Sequence, residues 1–204
     1  MIAITNYGLG NISAFVNVYK KLNIPANIVQ NAMDLRNASK VILPGVGAFD
    51  HAMERLNKSG MRELLDEMVI DRHVPILGIC VGMQMLAASS EEGSMPGLGW
   101  ISGEVKRFIP SSLINPVRVP HMGWNNFEPL KTNCLLSGLN IDSRFYFLHS
   151  YYFRCHRSED IIAITDYGED FACVVNSGNV FGVQFHPEKS HQWGIRLLEN
   201  FAKL

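Results

Sequence analysis

Apolar residues recur along this chain in two rhythms, and the change from one to the other divides it into halves. In the first half, short apolar runs alternate with segments of helical spacing. Residues 2–6 and 26–30 read as strands, and Val41-Ile-Leu-Pro44 as a third. Between the first two, residues 11–23 carry Ile12, Phe15, Val16, Tyr19 and Leu22, a spacing that gathers them on one helical face. Residues 49–71 read as helix with a break at Ser59-Gly60. Residues 75–79 form the next buried run, and 83–88 read as the first turns of the helix after it. This alternation predicts a parallel α/β sheet. The second half is strand-like instead, over residues 99–108, 117–120, 144–153, 161–165, 171–176 and 180–185, with short Gly, Asn, Ser and Pro turns between. A last helix over 192–203 is expected to bury Trp193, Leu197, Leu198 and Phe201. The expected sheet is therefore mixed, parallel in its centre and antiparallel at one side. With no repeat, low-complexity segment or linker, residues 1–204 are expected to form one domain.

Composition narrows the classes of function. Eighteen Lys and Arg against nineteen Asp and Glu leave a formal charge of −1, which argues against nucleic acid or an anionic membrane as the main partner. No apolar run approaches the ~20 residues needed to span a bilayer. Met1 leads straight into a strand-like start with no basic region, so a cytoplasmic protein without a targeting signal is expected. Cys80, Cys134, Cys155 and Cys173 are widely spaced and form no Cys-x-x-Cys pair, the pattern of neither a disulfide framework nor a zinc site. The last three read as small core residues or free thiols. No metal and no cofactor is expected.

The candidate chemistry centres on Cys80. It follows a buried strand and is flanked by Gly78 and Gly82, giving Gly-x-Cys-x-Gly. This is the thiol form of the nucleophile elbow, a strained strand-to-helix turn that lifts a nucleophile above the end of a sheet. The helix start behind it is expected to lower the thiol pKa and hold a developing oxyanion. A cysteine nucleophile needs a base and a group to orient that base. Val183-Gln-Phe-His-Pro-Glu-Lys-Ser190 offers both, just past a strand. If extended there, His186 and Glu188 point the same way, so Glu188 can hold the imidazole while it faces Cys80. Taken alone, the same tripeptide reads equally well as a surface turn. Leu43-Pro-Gly-Val-Gly-Ala48 is a third element, a glycine-rich strand end whose N–H groups can turn toward an anion. It lacks the Gly-Lys-Ser/Thr ending of a phosphate loop.

Pro44-Gly-Val-Gly47, Gly78-Ile-Cys-Val-Gly-Met-Gln84 and Phe185-His-Pro-Glu188, in this order and spacing, resemble the class I (triad) glutamine amidotransferases over nearly the whole chain. Further runs are similar to the branch that supplies the glutaminase subunit of imidazole glycerol phosphate synthase. These are Asn6-Tyr-Gly-x-Gly-Asn11, Pro44-Gly-Val-Gly-Ala-Phe-Asp50, Pro120-His-Met-Gly-Trp-Asn125, Phe145-Tyr-Phe-Leu-His-Ser-Tyr-Tyr152 and His186-Pro-Glu-Lys-Ser190. Val81 stands where that branch more usually has Leu, a change that keeps the backbone N–H. The resemblance implies a three-layer α/β/α flavodoxin-like fold and a Cys80-His186-Glu188 triad that hydrolyses L-glutamine to glutamate and ammonia. It implies an oxyanion site at Gly45, Val46 and Val81. Glutamine would be held at Gly47, Gln84 and the backbone of His149, Ser150 and Tyr151. Ammonia would be channelled to a (β/α)8-barrel cyclase subunit, HisF, as heterodimer partner, with Asn11, Trp124, Tyr146 and Lys189 at the interface. The pair would make imidazole glycerol phosphate and AICAR in histidine biosynthesis. The resemblance also implies that the partner switches the enzyme on by flipping the Gly45-Val46 peptide, a flip that glycine makes cheap.

Three other readings stay open from the sequence. Ser90-Glu-Glu-Gly93, Gly97-Leu-Gly-Trp-Ile101 and Lys189-Ser-His-Gln-Trp-Gly194 are similar to paralogues that supply ammonia for amidination of a surface-polysaccharide sugar. A free-standing cysteine hydrolase such as a γ-glutamyl peptidase would use the same sheet without a partner. A silent scaffold would show a lost triad residue, and here all three are present.

Overall fold

The computed structural model describes residues 1–109 and 118–204. Four parallel strands run inward from one edge of the main sheet: β1 (Ile2–Thr5), β2 (Ala26–Val29), β3 (Lys40–Gly45) and β4 (Ile76–Cys80). They lie in the order β2-β1-β3-β4. β3 and β4 are buried on both faces along almost their whole length, which is why they read as continuous apolar runs. Helices fill the crossovers. α1 (Ile12–Lys21) buries Ile12, Phe15 and Tyr19, and α3 (Phe49–Lys58) buries Phe49, Ala52, Met53 and Leu56. Between them a single turn, α2 (Ala32–Leu35), is capped by Asn31, whose side chain accepts from the Asp34 N–H. The sequence reading missed it because four residues carry no periodicity. The expected break after α3 is present at Ser59-Gly60, with Gly60 at φ 71°. Beyond it α4 (Arg62–Asp66) runs into a π-helical turn, Glu67–Asp71.

The helix after β4 is shorter and earlier than expected. α5 spans Val81–Gln84, a single turn instead of the start of a helix over 83–88, and the chain then turns into a two-residue strand, β5 (Ser89–Ser90). Residues 99–108 contribute β6 (Gly103–Arg107). The expected strand over 117–120 does not form where placed. Residue 117 lies outside the described residues, 118–120 are not strand, and the strand begins afterwards as β7 (His121–Asn126). β8 (Glu128–Pro129) follows.

The larger correction concerns residues 144–153. They form two strands, β9 (Arg144–His149) and β10 (Tyr151–Cys155), broken at Ser150. β9 pairs antiparallel with β7 in a separate two-stranded sheet, while β10 joins the main sheet. A polar residue between two apolar runs permits either one strand or a switch of sheet, so pattern alone could not separate them. β11 (Ile161–Asp166), β12 (Asp170–Ser177) and β13 (Val180–Val183) complete the main sheet. β13 lies parallel to β4, and β12, β10 and β6 follow outward from it as the antiparallel side. α6 (His191–Lys203) closes the chain, and the Tyr19 hydroxyl of α1 donates to its Leu198 carbonyl at 3.2 Å. Leu197, Leu198 and Phe201 are buried as expected. Trp193 is only half-buried, and Gly194 and Asn200 take core positions instead. Among the described residues no helix is long and apolar enough to cross a membrane.

Candidate active site

The parallel centre brings the ends of β3, β4 and β13 together, and an open α/β sheet gathers ligands at such carboxyl ends. Cys80 ends β4 at φ 56° and ψ −115°, a left-handed conformation rare for a residue with a side chain. The strained elbow is therefore real. Its tightness comes from Gly82, where a Cβ would stand 1.9 Å from the Leu43 carbonyl oxygen. The expectation of a full helix behind the thiol is corrected, since α5 is one turn and its dipole is that of one turn.

His186 lies three residues past β13 and is buried. Its Nδ1 sits 2.9 Å from Oε1 of Glu188, whose side chain is also buried. The alignment of the two has a different cause from the one expected. Pro187–Lys189 form a 3-10 turn, not an extended segment, and the turn folds Glu188 back onto the imidazole. The turn is pinned to β9: the His186 N–H donates to the Tyr146 carbonyl at 2.9 Å, and the Ser190 hydroxyl accepts from the Tyr146 N–H at 3.0 Å. Burial pulls the His186 pKa down, but hydrogen bonds and charge from Cys80 and Glu188 outweigh it and push it up to about 10. Glu188 Oε2 is buried with no hydrogen-bond partner among the described residues.

Cys80 and His186 open into a cavity of about 280 Å³, whose wall includes Val46, Gly47, Val81, Gln84, His149, Ser150, Tyr151 and Lys189. This is just below the ~300–1,000 Å³ usual for ligand sites. All the expected oxyanion and glutamine-binding residues thus meet here except Gly45, which lies just beneath, opposite Cys80 in the β3–β4 register. Gly45 also needs a correction. A Cβ there would stand 2.4 Å from the Gly82 nitrogen, so glycine is required for packing against the elbow and not only for peptide freedom. Gln84 faces the cavity as its one-turn offset from Cys80 suggested, but its amide is already committed. Its Nε2 donates to the Tyr151 carbonyl at 2.9 Å and to Gln184 Oε1 at 3.1 Å.

Five site residues escaped the sequence reading, among them Leu148, which lines the cavity and whose carbonyl lies 3.9 Å from the Cys80 sulfur. Gln184 is fully buried, and its amide lies 3.9 Å from the Cys80 sulfur. Its two-residue offset from His186 was the available signal. Pro120 and Glu92 line the cavity. Glu92 Oε2 accepts from the Phe49 N–H at 2.8 Å, and burial raises its pKa. It arrives on an irregular loop with no apolar periodicity. His121, the first residue of β7, contacts His149 at 3.0 Å behind the cavity wall.

Of the four expected interface residues, Trp124, Tyr146 and Lys189 lie together, and no contact joins Asn11 to them among the described residues. Trp124 and Tyr146 are cross-strand partners on β7 and β9, with rings 6.0 Å apart. Trp124 is 39 % exposed and stacks on His191. Lys189 Nζ lies 5.5 Å from the Tyr146 ring centre. Asn11 is exposed immediately before α1, and its side chain makes no capping bond there. Cys134, Cys155 and Cys173 are free thiols. Among the described residues no cluster of three His, Cys, Asp or Glu could hold a metal.

The family model for glutamine amidotransferase class-I matches residues 3–204. The imidazole glycerol phosphate synthase subunit HisH of Bdellovibrio bacteriovorus is 54 % identical over 204 residues, covering all of both chains. The subunit of the same name from Leptospira interrogans is 50 % identical, again over both whole chains. Among solved structures, a glutamine amidotransferase from Thermotoga maritima superposes with a TM-score of 0.65, covering 99 % of this chain and 82 % of that one. At 18 % identity it speaks for the fold alone. A Cys-His-Glu constellation at the strand ends of a mixed α/β sheet, and full-length identity to those subunits, place this chain in the class-I glutamine amidotransferase family, on its HisH branch.

Proposed function

We propose that this chain is the glutaminase subunit of an imidazole glycerol phosphate synthase, one domain over residues 1–204. The observation that carries the reading is Cys80 at a strained elbow, in one cavity with the buried His186–Glu188 pair. Cys80 attacks the side-chain amide carbon of L-glutamine, and His186 takes the thiol proton. Glu188 holds the imidazole through Nδ1 and stabilises its cation, in keeping with the raised His186 pKa. The tetrahedral oxyanion is held by the Val81 N–H and a backbone N–H of the Gly45-Val46-Gly47 segment, and losing one such donor costs about 100- to 1,000-fold in rate. His186 returns the proton to the departing ammonia. Water then cleaves the glutamyl thioester, releasing glutamate and restoring the thiol.

An amino-acid substrate carries both charges, and the cavity wall offers a match for each. The Glu92 carboxylate suits the α-ammonium, and backbone groups of Gly47 and His149-Ser150-Tyr151 suit the α-carboxylate. Free ammonia is mostly protonated at neutral pH, so it must be passed to an acceptor before it escapes. The acceptor chain is a (β/α)8-barrel cyclase, HisF, docked on Asn11, Trp124, Tyr146 and Lys189 as a cytoplasmic heterodimer. Tyr146 links that face to the triad, because its backbone pins the His186 turn. The pair forms imidazole glycerol phosphate and AICAR by lyase chemistry on the cyclase side.

The test is glutamate release by the purified chain, alone and with the histidine-pathway cyclase and its ligand. Strong stimulation by the cyclase, abolished by Cys80→Ala, is the expected result. Full activity without a partner would replace the proposal with a free-standing hydrolase. Stimulation only by a sugar-pathway barrel would replace the acceptor.

A further inference from the structure

His149 in the cavity wall and His121 behind it form a buried hydrogen-bonded chain whose direction follows from the groups at its ends. His149 Nδ1 lies 2.8 Å from the Tyr151 carbonyl oxygen, which can only accept, so Nδ1 carries the proton. Burial and the neighbouring His121 and His186 push the His149 pKa down to about 3, against the weaker pull of the Tyr151 bond, so the ring is neutral. Its Nε2 is then bare and must accept. The atom facing it at 3.0 Å is Nδ1 of His121, which therefore carries a proton in turn. His121 is also held neutral by burial, with its pKa lowered to about 4, so its Nε2 accepts. The amide of Asn125 lies 3.4 Å from that nitrogen. The orientation of that amide is itself settled, because its oxygen accepts from the Asn126 N–H at 2.8 Å and its nitrogen donates to the Asp166 carbonyl at 3.0 Å. His121 has no freedom to turn: it stacks between Phe147 and Tyr167, with ring centres 4.7 and 3.8 Å away.

The far end of this chain reaches the nucleophile. The Tyr151 carbonyl accepts from both His149 and Gln84, which uses both of its lone pairs. Gln84 hands on to Gln184, and Gln184 reaches the Cys80 sulfur. The carbonyl belongs to the point where β9 leaves the small sheet and β10 enters the main one, and this segment forms the cavity wall. We propose that His121 is a positioning residue for the substrate pocket: by donating to His149 Nε2 it holds that ring against the Tyr151 carbonyl, and so steadies the backbone against which glutamine binds. His121 itself touches neither the cavity nor the reacting atoms. This proposal rests on the glutaminase reading above.

Two measurements on the complex with the cyclase test it. The first is the nitrogen NMR of the imidazoles, labelled in the intact chain. The expected result is a neutral, Nδ1-protonated tautomer for both His121 and His149 at pH 7. An Nε2-protonated or charged His149 would overturn the proposal. The second is glutamine kinetics of His121→Leu and His121→Asn. Leucine removes the donor, and the asparagine amide sets an N–H close to the place of Nδ1. His121→Leu should raise KM about tenfold with kcat within about threefold, and His121→Asn should return KM to within about twofold of the parent. Equal KM changes in both variants, or none in either, would show that the ring only fills space. If His121→Leu does not fold, the tautomer measurement and His121→Asn decide. If the parent releases no glutamate with any partner, the glutaminase reading fails, and the NMR separates that failure from this one.

Discussion

In the proposed triad, Cys80, His186 and Glu188 are set apart by what surrounds each of them. The elbow imposes φ 56° on Cys80, and the surroundings tolerate it because glycines at 45 and 82 let backbone come close. Glu188 spends one oxygen on His186 and leaves the other buried and unpaired among the described residues, a costly arrangement that a purely structural carboxylate would have no reason to keep. Glu188→Gln should therefore lower kcat for glutamate release about 100-fold or more while leaving KM within about twofold. It should also lower the pKa of His186, because a raising partner is removed. A pH–rate profile measured with the cyclase bound checks both, and an unchanged kcat would remove Glu188 from the triad. Cys80 and His186 were legible because glycine spacing and a His-Pro-Glu run are local signals. Glu92 was not, since only the fold carries its loop to the cavity wall.

At the scale of elements, the break at Ser150 does most to shape the site. One strand over 144–153 would have carried His149 and Tyr151 along a single sheet. The switch between sheets bends the chain around the cavity and places the β7–β9 ribbon beside the triad turn. That ribbon has its own use. Its burial alternates, so Phe145, Phe147 and His149 face inward while Trp124 and Leu148 stay partly open. Trp124→Ala should weaken cyclase binding by about tenfold or more, the range of an aromatic hot spot. Isothermal titration against the cyclase measures it. Because the ring is already 39 % exposed, the melting temperature of the free chain should move little. An unchanged dissociation constant would take Trp124 out of the interface.

At the scale of the whole molecule, the buried imidazoles couple folding to pH. His121 and His149 titrate near 6.5 when unfolded and at about 4 and about 3 when folded. Between those values the unfolded chain binds more protons, so stability from the neutral pair is complete above about pH 6.5 and falls as pH drops toward 3. His186 runs the other way: its folded pKa is raised to about 10, so its contribution is complete below about pH 6.5 and is lost as pH rises through 10. Urea midpoints should therefore be lower at pH 5 than at pH 7, and His121→Asn, with one fewer buried imidazole, should narrow the gap. A flat acid limb would mean that the pair is solvated or already protonated in the folded chain.

The amino-acid sequence by itself determined the alternating half, the strand-rich half and the three strand-end motifs, because each rests on residues a few positions apart. Helical spacing chose the faces of α1 and most of α6, and continuous apolar runs marked the strands buried on both sides. Tertiary structure alone decided what depends on residues far apart in the chain. It cut α5 to one turn, because residues after Gln84 are needed beside β6. It folded Glu188 back by a 3-10 turn pinned to β9, and it divided residues 144–153 between two sheets. The histidine chain belongs to this second class. His121 and His149 are 28 residues apart, and only the β7–β9 register sets them face to face.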